Sequence, residues 1–155
     1  MRKILLLLIV PFCFFACNKP VATIAPTSPH QDSIDHQIIL AYIDSNHLVA
    51  DSEANGLYYV PVVAGTGPHP NINSTVTVTY KGYLTNGSVF DQKGPVSFAL
   101  NNNVIQGLQE GIPLMQAGGK ATLLIPSSLG YGTQANGSIP ANSVLIFDVT
   151  LNSFQ

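Results

Sequence analysis

Residues 75–91 read T-V-T-V-T-Y-K-G-Y-L-T-N-G-S-V-F-D, and no other run limits the possible folds of this chain so tightly. Val76, Val78 and Tyr80 alternate with Thr77, Thr79 and Lys81, the two-residue period of a strand with one buried face. Asn86-Gly87 offers the two positive-φ residues that a tight hairpin turn takes. The chain then returns through Ser88 and Val89 to Phe90-Asp91, an aromatic followed at once by a carboxylate. An exposed hairpin has no need of Tyr80, Tyr83, Phe90 and Asp91 so close together. The run is therefore both the structural centre of the chain and its first candidate site.

The rest of the chain supplies partners for that hairpin. Leu57 to Val63 reads as a strand, ended by Gly65-Thr66-Gly67-Pro68. Gly94-Pro95 breaks the chain before a further alternating strand, Val96 to Leu100, and Asn101-Asn102-Asn103 is a turn. Ile105, Leu108 and Ile112 fall at i, i+3 and i+7, one face of a helix that two glycines and Pro113 keep short. Lys120 to Pro126 is the next strand, and Leu129-Gly130-Tyr131-Gly132 opens a loop containing Asn136-Gly137 and Ile139-Pro140. Ser143 to Leu151 closes the chain, with Leu145, Phe147, Val149 and Leu151 on one face. Strands at short spacing around one short helix predict an α+β fold, an antiparallel β-sheet wrapped over one short α-helix.

The N-terminal third is organised differently. Arg2-Lys3, the apolar run from Ile4 to Val10 and Phe14-Phe15-Ala16-Cys17 have the order of an export signal. Ala16-Cys17 resembles a bacterial lipobox, with Phe15 where such motifs commonly carry Leu; the alternative is an ordinary signal peptide. The lipobox reading makes residues 1–16 a lipoprotein signal and Cys17 the lipidated first residue of the mature chain. Cys13 is then removed, which leaves no second cysteine for a disulfide. Residues 17–31 are Pro-, Thr- and Ser-rich without apolar periodicity, a flexible tether. Residues 32–55 comprise a helix and linker. Asp32 is its expected cap, and Ile34, Ile38, Ile39, Tyr42 and Ile43 form its apolar stripe. That stripe has two readings, a dimerisation arm or a helix packed on its own domain, which occupies residues 56–155.

Three separated blocks carry a family resemblance. They are V-x-Y-x-G-x-L-x-N-G-x-x-F-D (78–91), V-I-x-G-L-x-E-G-I (104–112), and G-Y-G…I-P…L-x-F-D-V-x-L (130–151). Together they resemble the FKBP-type peptidyl-prolyl cis-trans isomerases, over roughly Gly56 to Leu151. The resemblance implies an FKBP-like fold and prolyl isomerase activity. It implies that Tyr80, Phe90, Phe98 and Phe147 wall a proline pocket, with Val104 and Ile105 at its edge and Leu108 at its floor. Asp91 would accept a hydrogen bond beside the substrate carbonyl; its structural alternatives are to cap the loop after Phe90 or to accept from Tyr80. Tyr131 would donate its hydroxyl to the substrate, and the Ile139 N–H would hold the peptide. Leu108 stands where many members carry Trp, Val96 replaces a common aromatic, and the segment between Asp91 and Val96 is short. Macrolide inhibitors are further implied ligands.

Charge and chemistry narrow the field. Six Lys and Arg oppose eight Asp and Glu; loss of Arg2 and Lys3 with the signal leaves four against eight, a net charge of −4. Such a balance argues against a nucleic-acid partner, which demands a basic face. No cofactor or metal is expected, because prolyl isomerisation breaks no covalent bond. Its barrier of about 18–20 kcal/mol comes from amide resonance lost on twisting, and a catalyst needs only to bind the twisted form better than the planar ones. The expected partners are proline-containing unfolded or partly folded polypeptides and, through Cys17, a membrane. The expected location is the bacterial cell envelope, lipid-anchored at the outer membrane. A non-catalytic chaperone using the same apolar cleft is the alternative function, and a lipid-anchored adaptor working through the Ile34–Ile43 helix is a third.

Overall fold

The computed structural model describes residues 30–101 and 104–155. The expected signal at 1–16, Cys17 and the tether up to residue 29 lie outside the described residues. Six strands form one antiparallel sheet: β1 (Asp51–Ser52), β2 (Tyr58–Val63), β3 (Thr75–Leu84), β4 (Val89–Ala99), β5 (Lys120–Ile125) and β6 (Leu145–Phe154). Their order across the sheet is β1-β2-β5-β6-β3-β4, so β3 lies between the closing strand and its hairpin partner. Helix α1 (Gln31–Ser45) precedes the sheet, and α2 (Gln106–Gly111) bridges β4 and β5. This is the α+β architecture the alternation predicts, with β1 as a strand too short for periodicity to reveal.

The sheet buries both faces. On one side, Val76, Val78, Leu123, Ile125, Leu145, Phe147, Val149 and Leu151 pack with Leu108 and Ile112 of the α2 segment. On the other, Tyr58, Val60, Leu124 and Ile146 pack against Ile39 of α1, with Tyr42 and Ile43 beside them. The continuous runs Leu123-Leu124-Ile125 and Leu145-Ile146-Phe147 explain this. Neighbouring strand residues point to opposite faces, so an unbroken apolar run serves two cores. The sheet is therefore covered on both faces, by the short α2 on one and by the N-terminal helix on the other, the second of the two readings of that helix.

Helix α1 packs on its own domain along a narrower line than the stripe implied. Ile39 is buried, but Ile34 and Ile38 remain 37% and 38% exposed. Asp35, one turn before Ile39, takes the buried place instead. The cap also differs: the His30 ring nitrogen accepts from the Asp32 N–H at 3.4 Å, so the helix starts a residue earlier and Asp32 lies in its first turn.

Three other expectations are revised. Only Gly87 in the hairpin turn has positive φ (85°), while the Gly87 N–H donates to the Leu84 carbonyl at 2.8 Å and Leu84 N–H to Ser88 O at 3.0 Å. The connection is a three-residue loop, Thr85-Asn86-Gly87, a turn followed by one left-handed residue rather than a two-residue turn. Strand β4 does not break at Gly94-Pro95. Val78 pairs with Val96 and Tyr80 with Lys93, so β4 carries one extra residue there. β4 is an edge strand, and a bulge on an edge is where proline, lacking an N–H, fits. Finally, the expected helix over 104–112 is α-helical only from Gln106 to Gly111; Ile105 is its N-cap, and Ile112–Leu114 tightens into a 3-10 turn around Pro113.

Candidate active site

A second bulge shapes the site. Gly82 pairs with Asp91 but Tyr83 pairs with Val89, which leaves Phe90 as the extra residue of β4. Regular alternation would send Phe90 and Asp91 to opposite faces. The bulge turns both toward one cleft of about 450 Å³.

The walls come from across the fold. Tyr80 enters from β3, Phe98 from β4 and Phe147 from β6, while Val104, Ile105 and Leu108 come from the entrance and first turn of α2. The Tyr80 and Phe147 rings lie 5.9 Å apart, centroid to centroid, and Phe90 meets Phe147 edge-on at 5.5 Å. Edge-on and tilted packing is the favoured arrangement of aromatic quadrupoles. Gly82 makes it possible, because a Cβ there would run into both the Phe90 and Phe147 rings. Leu108, only 8% exposed, lines the cleft from α2. Tyr131 and Ile139 complete the lining from the loop between β5 and β6. All ten residues singled out from the sequence as pocket residues thus meet around one cavity.

Polar groups interrupt the aromatic walls, and one pair of them is closed on itself. The Tyr80 hydroxyl donates to Asp91 Oδ2 at 2.5 Å, so Asp91 accepts from its neighbour across the hairpin. Burial, and then this hydrogen bond, push the Tyr80 phenol above its ordinary range, which keeps it a neutral donor. The Ile139 N–H does not match its expected role. It donates to the Asn136 carbonyl at 2.9 Å, and Asn136 N–H donates back to Ile139 O at 2.9 Å. That small bridge occupies the N–H, and Ile139 serves the cleft through its side chain, 5% exposed.

Lys93, Asn136, Gly137 and Ser138 also line the cleft without having been singled out. For Lys93 a signal existed, since it stands two residues after Asp91 on the same strand. The segment from Asp91 to Val96 is therefore short because β4 runs straight through it. The 136–138 turn carried only a loop signature, Asn-Gly. No group of three or more His, Cys, Asp or Glu that could hold a metal occurs among the described residues.

Known proteins resemble this chain in sequence and fold. A family profile described as FKBP-type peptidyl-prolyl cis-trans isomerase matches residues 67–152. The FKBP-type peptidyl-prolyl cis-trans isomerase FkpA of Aeromonas hydrophila is 45% identical over 108 residues, which span 67% of this chain and 40% of the relative. FK506-binding protein 4 of Dictyostelium discoideum is 45% identical over 103 residues, 64% of this chain and 28% of that protein. The chain thus matches well under half the length of these relatives. Among solved structures, FkpA from Escherichia coli superposes with a TM-score of 0.68 at 34% identity, covering 81% of this chain and 62% of its own. A peptidyl-prolyl cis-trans isomerase from Pseudomonas syringae pv. tomato gives 0.69 at 28% identity, covering 83% and 98%. With the matched profile running from Gly67 through every wall of the cleft to Asn152, this chain belongs to the FKBP-type peptidyl-prolyl cis-trans isomerase family.

Proposed function

We propose that the chain is an active peptidyl-prolyl cis-trans isomerase that assists protein folding in a bacterial cell envelope. The observation that carries this reading is the aromatic cleft itself, in which Phe90, Phe98 and Phe147 surround a single Tyr80–Asp91 pair. A planar prolyl amide is strongly dipolar and loses hydration on entering such a cleft. The twisted amide is less dipolar, so desolvation penalises it less, and the difference lowers the barrier. The Tyr80 hydroxyl is spent on Asp91, and the Tyr131 phenol, in the role the family resemblance implies, would donate to the substrate. Leu108 would lie beneath the proline ring, and Lys93 would stand at the rim. Macrolide inhibitors would occupy the same cleft.

Residues 1–16 would direct export, Cys17 would carry the lipid anchor, and 17–31 would hold the domain off the membrane. The Ala16-Cys17 pair behind an apolar core supports this anchor.

The test is isomerisation of an X-Pro peptide with the purified chain. The wild type should accelerate exchange over the uncatalysed rate, which has a half-time of tens of seconds. Asp91→Leu should lower kcat/KM, and Tyr131→Phe should cost less, about 1 kcal/mol for one hydrogen bond. A wild-type rate equal to background, with an unfolded proline-containing chain still bound, would transfer the cleft to the non-catalytic chaperone reading.

A further inference from the structure

We propose that Asp35, on the opposite side of the sheet from α2, is a positioning residue for Tyr131, and so makes the N-terminal helix part of the catalytic apparatus. The proposal takes the isomerase reading of the cleft as its setting. Asp35 has no solvent exposure. Its Oδ2 accepts the backbone N–H of Ser127 at 2.7 Å across 92 positions of chain, and its Oδ1 accepts from Gln31 Nε2 at 2.7 Å. Among the described residues the one ion pair is His30–Asp32, so no cation neutralises Asp35. A buried carboxylate without a cation is costly, and it persists only where charge-assisted hydrogen bonds hold it.

The N–H it holds begins the turn that presents Tyr131. Ser127–Leu129 forms a 3-10 turn directly after β5. The Ser127 carbonyl accepts from the N–H groups of Gly130 at 3.0 Å and Gly132 at 2.8 Å, the two residues that flank Tyr131. Ser127 is thus gripped at both ends, by Asp35 on its amide and by the Tyr131 turn on its carbonyl. Gly130 and Gly132 add no side chain that could anchor the turn. Loss of Asp35 would leave a buried N–H unpaired and release the hydrogen bond that ties Ser127 to α1. The family profile begins at residue 67, so this support lies outside the matched region.

The experiment combines Asp35→Ala, Asp35→Asn and Ile39→Ala with Tyr131→Phe in the full chain. Asp35→Ala should lower kcat/KM about fourfold, no more than Tyr131→Phe itself, and Asp35→Asn less than about twofold, because the Asn oxygen still accepts from Ser127. Ile39→Ala loosens α1 without touching that hydrogen bond, and should leave kcat/KM near wild type wherever the protein is folded. In a Tyr131→Phe background, Asp35→Ala should cost less than about twofold more, since the positioned hydroxyl is already gone. An undiminished cost in that background, or an equal loss in Ile39→Ala, overturns the proposal. Labelling with 3-fluorotyrosine gives a readout independent of turnover: the Tyr131 resonance, assigned by its loss in Tyr131→Phe, should move in Asp35→Ala and stay in Asp35→Asn. A shifted resonance in a protein without isomerase activity would sink the functional reading and support the positioning. An unmoved resonance in Asp35→Ala would overturn the positioning, whatever the activity. If Asp35→Ala does not fold, Asp35→Glu, which keeps the charge but changes its reach, takes its place with the same expected pattern.

Discussion

Leu108 is the side chain through which α2 reaches both the core and the cleft. A Trp there would bury more apolar area, by a difference worth about 1–2 kcal/mol at about 25 cal/mol per Å². Planar and twisted prolines touch the floor almost equally, so little of that difference reaches the transition state. Leu108→Trp should therefore tighten macrolide binding while kcat changes by less than about tenfold. Leu108→Ala should lower folding stability by about 2–5 kcal/mol and weaken ligand binding. An unchanged melting temperature and ligand affinity in Leu108→Ala would remove it from the floor. At this scale the sequence was most informative: the meeting of Tyr80, Phe90, Asp91, Tyr131 and Phe147 around one cleft was legible because they occupy positions in the motif blocks. Phe98, which lies between two blocks, came from the resemblance. The ownership of individual hydrogen bonds was not. Whether Ile139 N–H faces a peptide or Asn136 O depends on a local bridge, and no residue type encodes that.

Secondary-structure elements were legible where period and length were strong, as in β3 and β6, and poorly legible where the chain departs from regularity. Both bulges of β4 were hidden, because an extra residue in one strand shows only against its partner's register. The Gly94-Pro95 pair consequently read as a break. The glycines of α2 carry a similar lesson. Their helix is short, as expected, but Gly107 also lets α2 approach β5, since a Cβ there would collide with the Ile125 side chain. Ile125 is fully buried and has no room to withdraw. Gly107→Ala should gain about 1 kcal/mol of helix propensity and lose about 1–3 kcal/mol to overpacking. The net effect should be a lower melting temperature, together with a disturbed Leu108 one residue along. Gly94→Ala, where a Cβ meets nothing within 4 Å, is the matched control and should leave stability near wild type. Equal melting temperatures for the two variants would mean that α2 is not held close to β5.

On the scale of the whole molecule, one sheet ties the cleft to the N-terminal helix, and two tyrosines of β3 report on the two sides. Tyr80 faces the cleft, whereas Tyr83 packs with the α1 cluster. Both phenols are pushed above their ordinary value. Burial is the leading cause for each, followed by the Asp91 hydrogen bond for Tyr80 and by hydrogen bonding to Tyr42 for Tyr83, with Asp148 adding to the latter. Tyr59 on β2 shifts the same way, through burial and then Asp51. In the unfolded chain a tyrosine loses its proton near pH 10. The folded chain keeps these protons to higher pH, so above pH 10 it binds more protons than the unfolded chain does. Stability linked to these groups is therefore complete below about pH 10 and is lost as pH rises toward the folded values. The melting temperature should fall in that alkaline window, and ultraviolet titration of the native protein should show Tyr80 and Tyr83 ionising late. Tyr83→Phe removes one group whose protonation differs between folded and unfolded chain and should flatten the fall, and Tyr80→Phe should flatten it likewise from the cleft side. If either phenol ionised at the ordinary value in the native protein, that face of the sheet would not be buried as described.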